Sequence, residues 1–547
     1  MSVYDDRPWL SRYAPGQPAG IAVEHDDALS MFRATVEREP DTDILRYFGG
    51  RITRRELDEL TDAFAAGITA AGFRPGGRVA IYVQNDPQFV IAQVGTWKAG
   101  GIAVSVNPMN RERELAQLLE DCDATVLVTL RSLWRDVASK VARVPIVLTT
   151  SELEYRTAPG DAQDCPGTTD LATMLDRFRG LRAPDVRLGP DDTAFLTYTS
   201  GTTGPPKGAM TTHRNVVFNA QTYRDWVGLD SGDVILGAAP LFHITGLIGH
   251  VAVSLLTGAP LVLMHRFDAA TAIETARAER ATFTVGSITV FIALMNAPNA
   301  SRRALASLRK IYSGGAPIPP STVAAFQDKF GTYIHNCYGL TETTSPSHAV
   351  PFGTRAPVDP VSGALSVGVP VYDTVVRVAD ENGAELPAGE IGELVTSGPQ
   401  VVAGYWGKPA ETEKALPNGA LHTGDVGYMD ERGWFYVVDR KKDQINAGGY
   451  KVWPREVEDV LYEHEAVREA AVVGVPDPYR GETVAAFVSL RAGHAVTAEE
   501  LISFCRDRLA AYKYPRRVEF LDELPKTVSG KLLRRTLRDT WTRRRDS

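Results

Sequence analysis

Arg78-Val-Ala-Ile-Tyr-Val83, Ile102-Ala-Val-Ser-Val106 and Ala124-Thr-Val-Leu-Val-Thr129 are three short apolar runs rich in valine. Two longer stretches with helical patterning, Pro87 to Ala99 and Glu112 to Cys122, lie between them. Such runs read as strands buried on both faces, because a strand with one wet face would alternate polar and apolar residues. Strands separated by helices do not pair as hairpins, so the alternation predicts parallel sheets covered by helices, an α/β fold. Working outward, Arg54 to Ala71 reads as an amphipathic helix before this unit, and Thr193-Ala-Phe-Leu196 as a strand after it. Val375-Val-Arg-Val-Ala379 and Gly392-Glu-Leu-Val-Thr396 are short strands between turn residues, the pattern of a barrel or meander. Past Asp439 the character changes again. A helix from Glu456 to His464, strands Val467 to Val475 and Thr483 to Leu490, and a helix from Ala498 to Leu509 predict a small α+β unit at the C-terminus. The basic run Thr542-Arg-Arg-Arg-Asp-Ser547 is expected to fray.

A chain of 547 residues is long enough for two to four compact units. Its 44% hydrophobic and 23% charged residues are ordinary for a globular protein. Lys and Arg total 59 against 67 Asp and Glu, a formal charge of −8, which argues against a nucleic-acid binder but not against a local nucleotide site. Cys122, Cys165, Cys337 and Cys505 are far apart with no CxxC pair, so free thiols in a reducing cytoplasm are expected. Met1-Ser-Val-Tyr-Asp-Asp-Arg7 lacks the apolar core of a signal peptide. Gly246 to Met264 is long and apolar enough to raise the question of a membrane span. It holds His250, three glycines and Pro260 and has no flanking basic cluster, so a buried helix followed by a buried strand is expected. Peripheral membrane contact stays open.

The chemistry concentrates first in Thr197-Tyr-Thr-Ser-Gly-Thr-Thr-Gly-Pro-Pro-Lys-Gly208. Thr199, Ser200, Thr202 and Thr203 offer hydroxyls, Gly201 and Gly204 let backbone N–H groups approach a ligand, and Lys207 adds positive charge. Such a loop suits polyphosphate, although a Ser/Thr/Gly/Pro cluster by itself usually means a flexible surface turn. It is not a P-loop: Pro206 precedes the lysine where that motif has glycine, and Gly208 follows it where the metal-binding hydroxyl would stand.

The segment resembles the phosphate-binding signature of the adenylate-forming superfamily, which includes acyl-CoA synthetases, peptide-synthetase adenylation domains and beetle luciferases. More resemblances follow in the same order: Ala239-Pro-Leu-Phe-His-Ile-Thr-Gly246, Tyr338-Gly-Leu-Thr-Glu-Thr343, Leu421-His-Thr-Gly-Asp425, Val438-Asp-Arg-Lys-Lys-Asp443 and Pro525-Lys-Thr-Val-Ser-Gly-Lys531. Together they extend from about residue 30 to about residue 535. The resemblance implies a large N-terminal AMP-binding domain, residues 1–441, of two α/β sheet subdomains plus a distorted β-barrel. A small mobile α+β domain, residues 442–547, would carry the catalytic lysine.

Lys531 would then be that lysine, a flexible point charge between the substrate carboxylate and a phosphate oxygen. Thr203 and Thr341 would bind phosphate and Glu342 would hold Mg²⁺, a hard cation that prefers oxygen ligands. Gly314, Gly315, Ala316 and Pro317 would lie against one face of adenine, with Asn336 and Tyr338 on the other and Gly339 following. Asp425 would accept from the ribose hydroxyls with Arg440 and Val437 beside it. Lys442 would be the hinge, and Gly448 and Gly449 in Ala447-Gly-Gly-Tyr450 would let the pantetheine of coenzyme A pass. His243, after Phe242, resembles the acyl-site gate of fatty-acid and aryl ligases; on local sequence alone it reads as a core histidine. Thr282-Phe-Thr-Val-Gly-Ser-Ile-Thr289 has no carboxylate to grip an amino group, which favours a simple acid over an amino acid. Its Ser287-Ile288-Thr289 departs from the usual Val-Pro-Thr-like step, and Asn446-Ala447 from the usual Ile-Ser. The implied activity is ATP-dependent formation of acyl-AMP from a medium- or long-chain fatty acid, then transfer to coenzyme A, with ATP, Mg²⁺ and coenzyme A required and a homodimer open. The alternatives are an aryl- or steroid-acid ligase, a ligase handing its acyl-AMP to a carrier protein, and an inert nucleotide-binding protein.

Overall fold

The strand Arg78–Tyr82 is central in a seven-stranded sheet, pairing in parallel with Ile102–Ser105 on one side and Val126–Leu130 on the other. Ile146–Thr150 and Thr169–Asp170 extend one flank. Thr193–Tyr198 extends the other and closes it with antiparallel Gly208–Thr212. The computed structural model describes residues 2–157, 165–199, 206–360, 363–440, 443–447, 450–477, 481–527 and 532–546. The three valine-rich runs are thus parallel neighbours, and the helix Pro87–Lys98 between two of them is buried along its whole length. A helix that is apolar on all sides must be covered on all sides.

A second sheet of nine strands has Ile235–Leu236 inside it, flanked by Leu261–Leu263 and Phe283–Gly286. Lys310–Ser313 and His335–Tyr338 continue its parallel core. The apolar stretch from Gly246 folds as expected into a buried helical segment followed by the strand Leu261–Leu263; its middle, Leu247–Ala252, is a π-helical turn. One apolar core includes residues of both sheets, such as Val79 and Val285, and Val376 from the next unit. That unit is an antiparallel meander of Val375–Ala379, Gly392–Ser397, Leu421–Met429 and Phe435–Arg440. A bridge from Gly368 to Phe435 ties it to the nine-stranded sheet's margin.

From residue 443 the chain builds a separate five-stranded sheet, with Val467–Asp477 paired along Gly481–Leu490. Alternation on that strand divides two cores: Ala470 and Val472 face one, Ala471, Val473 and Val475 the other. The second core also takes Leu537 and Trp541 from the helix Arg534–Asp546. The helix runs through Asp546, so the basic run expected to fray is helical up to that residue. Among the described residues no helix is long and apolar enough to cross a membrane. All four cysteines are buried and free.

Candidate functional site

The strand Lys310–Ser313 ends in Gly314, whose added Cβ would lie 2.7 Å from the carbonyl oxygen of Cys337 on the adjacent strand. Only glycine fits there, and Gly315 takes φ +77°, a left-handed conformation that suits glycine. Gly314, Gly315, Ala316 and Pro317 are thereby presented beside the end of the strand His335–Tyr338. Asn336 is buried, and its side-chain amide donates to the Ser366 carbonyl at 2.9 Å. Tyr338 is half-buried, and its hydroxyl donates to Asp425 Oδ2 at 2.7 Å. Asp425, only 3% exposed, pairs in register with Arg440 on the next meander strand. Two motifs 87 residues apart thus meet side chain to side chain. The Tyr338 ring also meets His348 edge-on at 5.4 Å, and burial pushes that imidazole down to about 3.

Beyond Tyr338 and Gly339 the chain makes a short 3-10 turn, Thr341–Thr343. Glu342 Oε1 accepts from the Tyr405 hydroxyl at 2.7 Å, and the Glu342 carbonyl accepts from Val402 N–H at 3.0 Å. Tyr405 is also bridged to Ala209, and the Lys207 ammonium stands over its ring at 5.1 Å. Lys207 is ion-paired with Glu411, which lowers the Glu411 pKa. Burial first, and the Glu342 charge second, raise the pKa of the Tyr405 phenol and keep it a donor. At the loop's base Thr199 N–H donates to the Lys207 carbonyl at 2.9 Å. Tyr405 therefore joins the expected phosphate loop to the expected metal ligand. Neither Tyr405 nor Glu411 stood out in the sequence, because contact with residues far away in the chain is what marks them.

His243 is half-buried, not sealed in the core. It caps the helix start at Ile244, its Nδ1 accepting from Thr245 N–H at 3.3 Å. Gly246 is packed so closely that a Cβ would sit 2.1 Å from the Pro240 carbonyl oxygen. Ser287 and Thr289 hydroxyls bond each other at 2.7 Å. Val437 turns its carbonyl to Arg455 Nη1 at 2.6 Å. Ser200, Gly201, Thr202, Thr203, Gly204, Lys442, Gly448, Gly449 and Lys531 lie outside the described residues, as does the Arg440 side chain. Glu342 suits a Mg²⁺ ion that draws its other ligands from phosphate: it is a half-buried carboxylate with one oxygen held by a neutral phenol.

With this geometry in place, the comparisons are specific. Residues 32–406 match the family model described as AMP-binding enzyme, and residues 456–531 the AMP-binding enzyme C-terminal domain. A long-chain-fatty-acid–CoA ligase of Bacillus subtilis is 37% identical, covering 98% of each chain. A feruloyl-CoA synthase of an Amycolatopsis species is also 37% identical, covering 91% of this chain and 96% of its own. Among solved structures, an anthranilate CoA ligase in complex with anthranoyl-AMP superposes with a TM-score of 0.87 at 25% identity, covering 97% of this chain and 99% of its own.

Proposed function

The chain belongs to the AMP-binding enzyme family, and on that premise we propose that it activates a medium- or long-chain fatty acid as acyl-AMP and then transfers the acyl group to coenzyme A. In the first step a carboxylate oxygen attacks the α-phosphorus of ATP, the bond to the β-phosphate oxygen breaks and pyrophosphate leaves. In the second the coenzyme A thiol loses its proton, its sulfur attacks the acyl carbon, and AMP leaves. Both steps bring anions together, so positioning and cationic stabilisation dominate. Lys531 supplies the charge in the first step, and the loop from Ser200 to Lys207 holds the phosphates. Gly315 to Pro317 and Tyr338 hold adenine, and Asp425 with Arg440 holds the ribose. A Mg²⁺ ion bound at Glu342 would neutralise phosphate charge. Lys442 is the hinge between residues 1–441 and 442–547, and Gly448 and Gly449 line the thiol's path in the second orientation.

The observation that supports this reading best is the Tyr338–Asp425 hydrogen bond, which joins the adenine and ribose motifs into one site. The fatty-acid assignment draws on the ligase of Bacillus subtilis, similar over nearly all of both chains. The feruloyl-CoA synthase, equally identical over somewhat less of this chain, favours an aryl acid as the second reading. Pyrophosphate release measured across fatty, aryl and steroid acids separates the two. The fatty-acid reading requires the highest kcat/KM with a fatty acid, and a higher value with ferulate would overturn it.

A further inference from the structure

In each large sheet the strand order reverses around one strand. In the seven-stranded sheet it is Arg78–Tyr82, flanked by the strands that follow it on opposite sides. In the nine-stranded sheet it is Ile235–Leu236, likewise flanked by Leu261–Leu263 and Phe283–Gly286. Such reversals open a crevice at the carboxyl ends of parallel strands, where α/β proteins place ligands. The first strand leads into Asn85 and Asp86, the second into the segment Gly237 to His243.

These two reversal points are joined by one side chain. Asn85, 7% exposed, donates from Nδ2 to the Ala239 carbonyl at 3.0 Å and to that of Gly237 at 3.5 Å. Its Oδ1 accepts from Leu241 N–H at 2.9 Å. Its backbone N–H donates to the His265 carbonyl at 3.2 Å, just past the strand Leu261–Leu263. Asp86 repeats the stitch: fully buried, it bonds His265 Nδ1 at 2.8 Å. A primary amide offers a donor and an acceptor on separate atoms, and here both are used on a backbone that has left its sheet. Two residues after Leu241 comes His243.

We infer that Asn85 is a positioning residue for the acid: it fixes the backbone of Ala239 to Leu241 and so sets where His243 stands in the crevice. This rests on the proposed function and on reading that loop, which resembles the family's acyl-site segment, as facing the acyl group. Asn85 touches no reacting atom and acts only through the loop.

The test uses the full chain with Asn85→Asp, Asn85→Ala and the double variant N85D/H243A. Aspartate keeps the size and the acceptor but sets a second oxygen against the Ala239 carbonyl. Amide hydrogen exchange in residues 239–246 is expected to speed up by about tenfold in N85D, while exchange in the meander strand Phe435–Arg440 stays unchanged. The KM for the acid is expected to rise about tenfold and the KM for ATP to stay within about twofold. Because both residues act through one loop, N85D/H243A should cost no more than H243A alone. Unchanged exchange in 239–246, loosening throughout the chain with both KM values rising together, or fully additive costs would each overturn the inference. Local loosening at 239–246 in N85D, with the unaltered chain turning over none of the acids, would leave the anchoring in place and refute the fatty-acid reading instead.

Discussion

Tyr338 and Asp425 show what a single contact adds to a motif. Each was legible as part of a family resemblance, but the 2.7 Å bond between them makes the two one surface. Tyr338→Phe removes the donor that holds the Asp425 carboxylate, so AMP affinity is expected to fall by about tenfold in calorimetry. An unchanged Kd would detach Asp425 from the nucleotide. Glu411 has the opposite expectation. It engages Lys207 in a half-exposed ion pair, so Glu411→Gln should release the lysine for phosphate and lower the KM for ATP by up to about fivefold, less in high salt. The sequence could not give Tyr405, Glu411 or Asn85 these roles, because each earns its place from partners far along the chain. The expectations for Glu342 and Asp425 came instead from their neighbours in sequence, which carry the resemblance.

Elements were more legible than contacts. The valine-rich runs became the parallel strands they promised, and helices such as Arg54–Ala70 ended within a residue of the expected place. The π-helical turn Leu247–Ala252 was not visible, since apolar periodicity alone does not distinguish it from an ordinary helix. The helical continuation through 542–546 was not legible because that basic run has no apolar pattern of its own; the residues that dock the helix, Leu537 and Trp541, lie before it. Trp541→Ala should therefore destabilise the C-terminal unit by about 3 kcal/mol, read as a lower urea midpoint for that unit. A variant with an unchanged midpoint would mean the helix is not held by its tryptophan. At the other end of the chain's chemistry, Gly246→Ala forces a Cβ into the Pro240 carbonyl, so the loop before His243 must move. The acid's KM should rise while AMP binding by the same protein is retained.

At the scale of the molecule, burial sets the response to acid. His213, His250 and His335 are pushed from 6.5 down to about 4 and His348 to about 3, in each case by burial. Each binds its proton less readily folded than unfolded. Their contribution to stability is complete above about pH 6.5 and is lost as the pH falls toward and through those lowered values. The melting temperature should therefore drop steeply across that window. Asp459 runs the other way: burial raises it to about 7, so its contribution is present in acid and lost as the pH rises through about 7. Asp459→Asn should raise Tm near pH 8 and leave it unchanged near pH 4, roughly the limits of that window. Melting curves of the two proteins across this range check both signs.

The central claim is two reactions at one nucleotide site, and rapid quench of a single turnover tests it most directly. The protein is mixed with ATP, Mg²⁺ and a long-chain fatty acid, with and without coenzyme A, and the products are weighed by mass spectrometry. Without coenzyme A, acyl-AMP should accumulate to about one equivalent per site while pyrophosphate appears in equal amount. With coenzyme A, that acyl-AMP should decay as acyl-CoA and AMP rise together. Acyl-AMP that persists in the presence of coenzyme A, or acyl-CoA that forms with no acyl-AMP before it, would contradict the account.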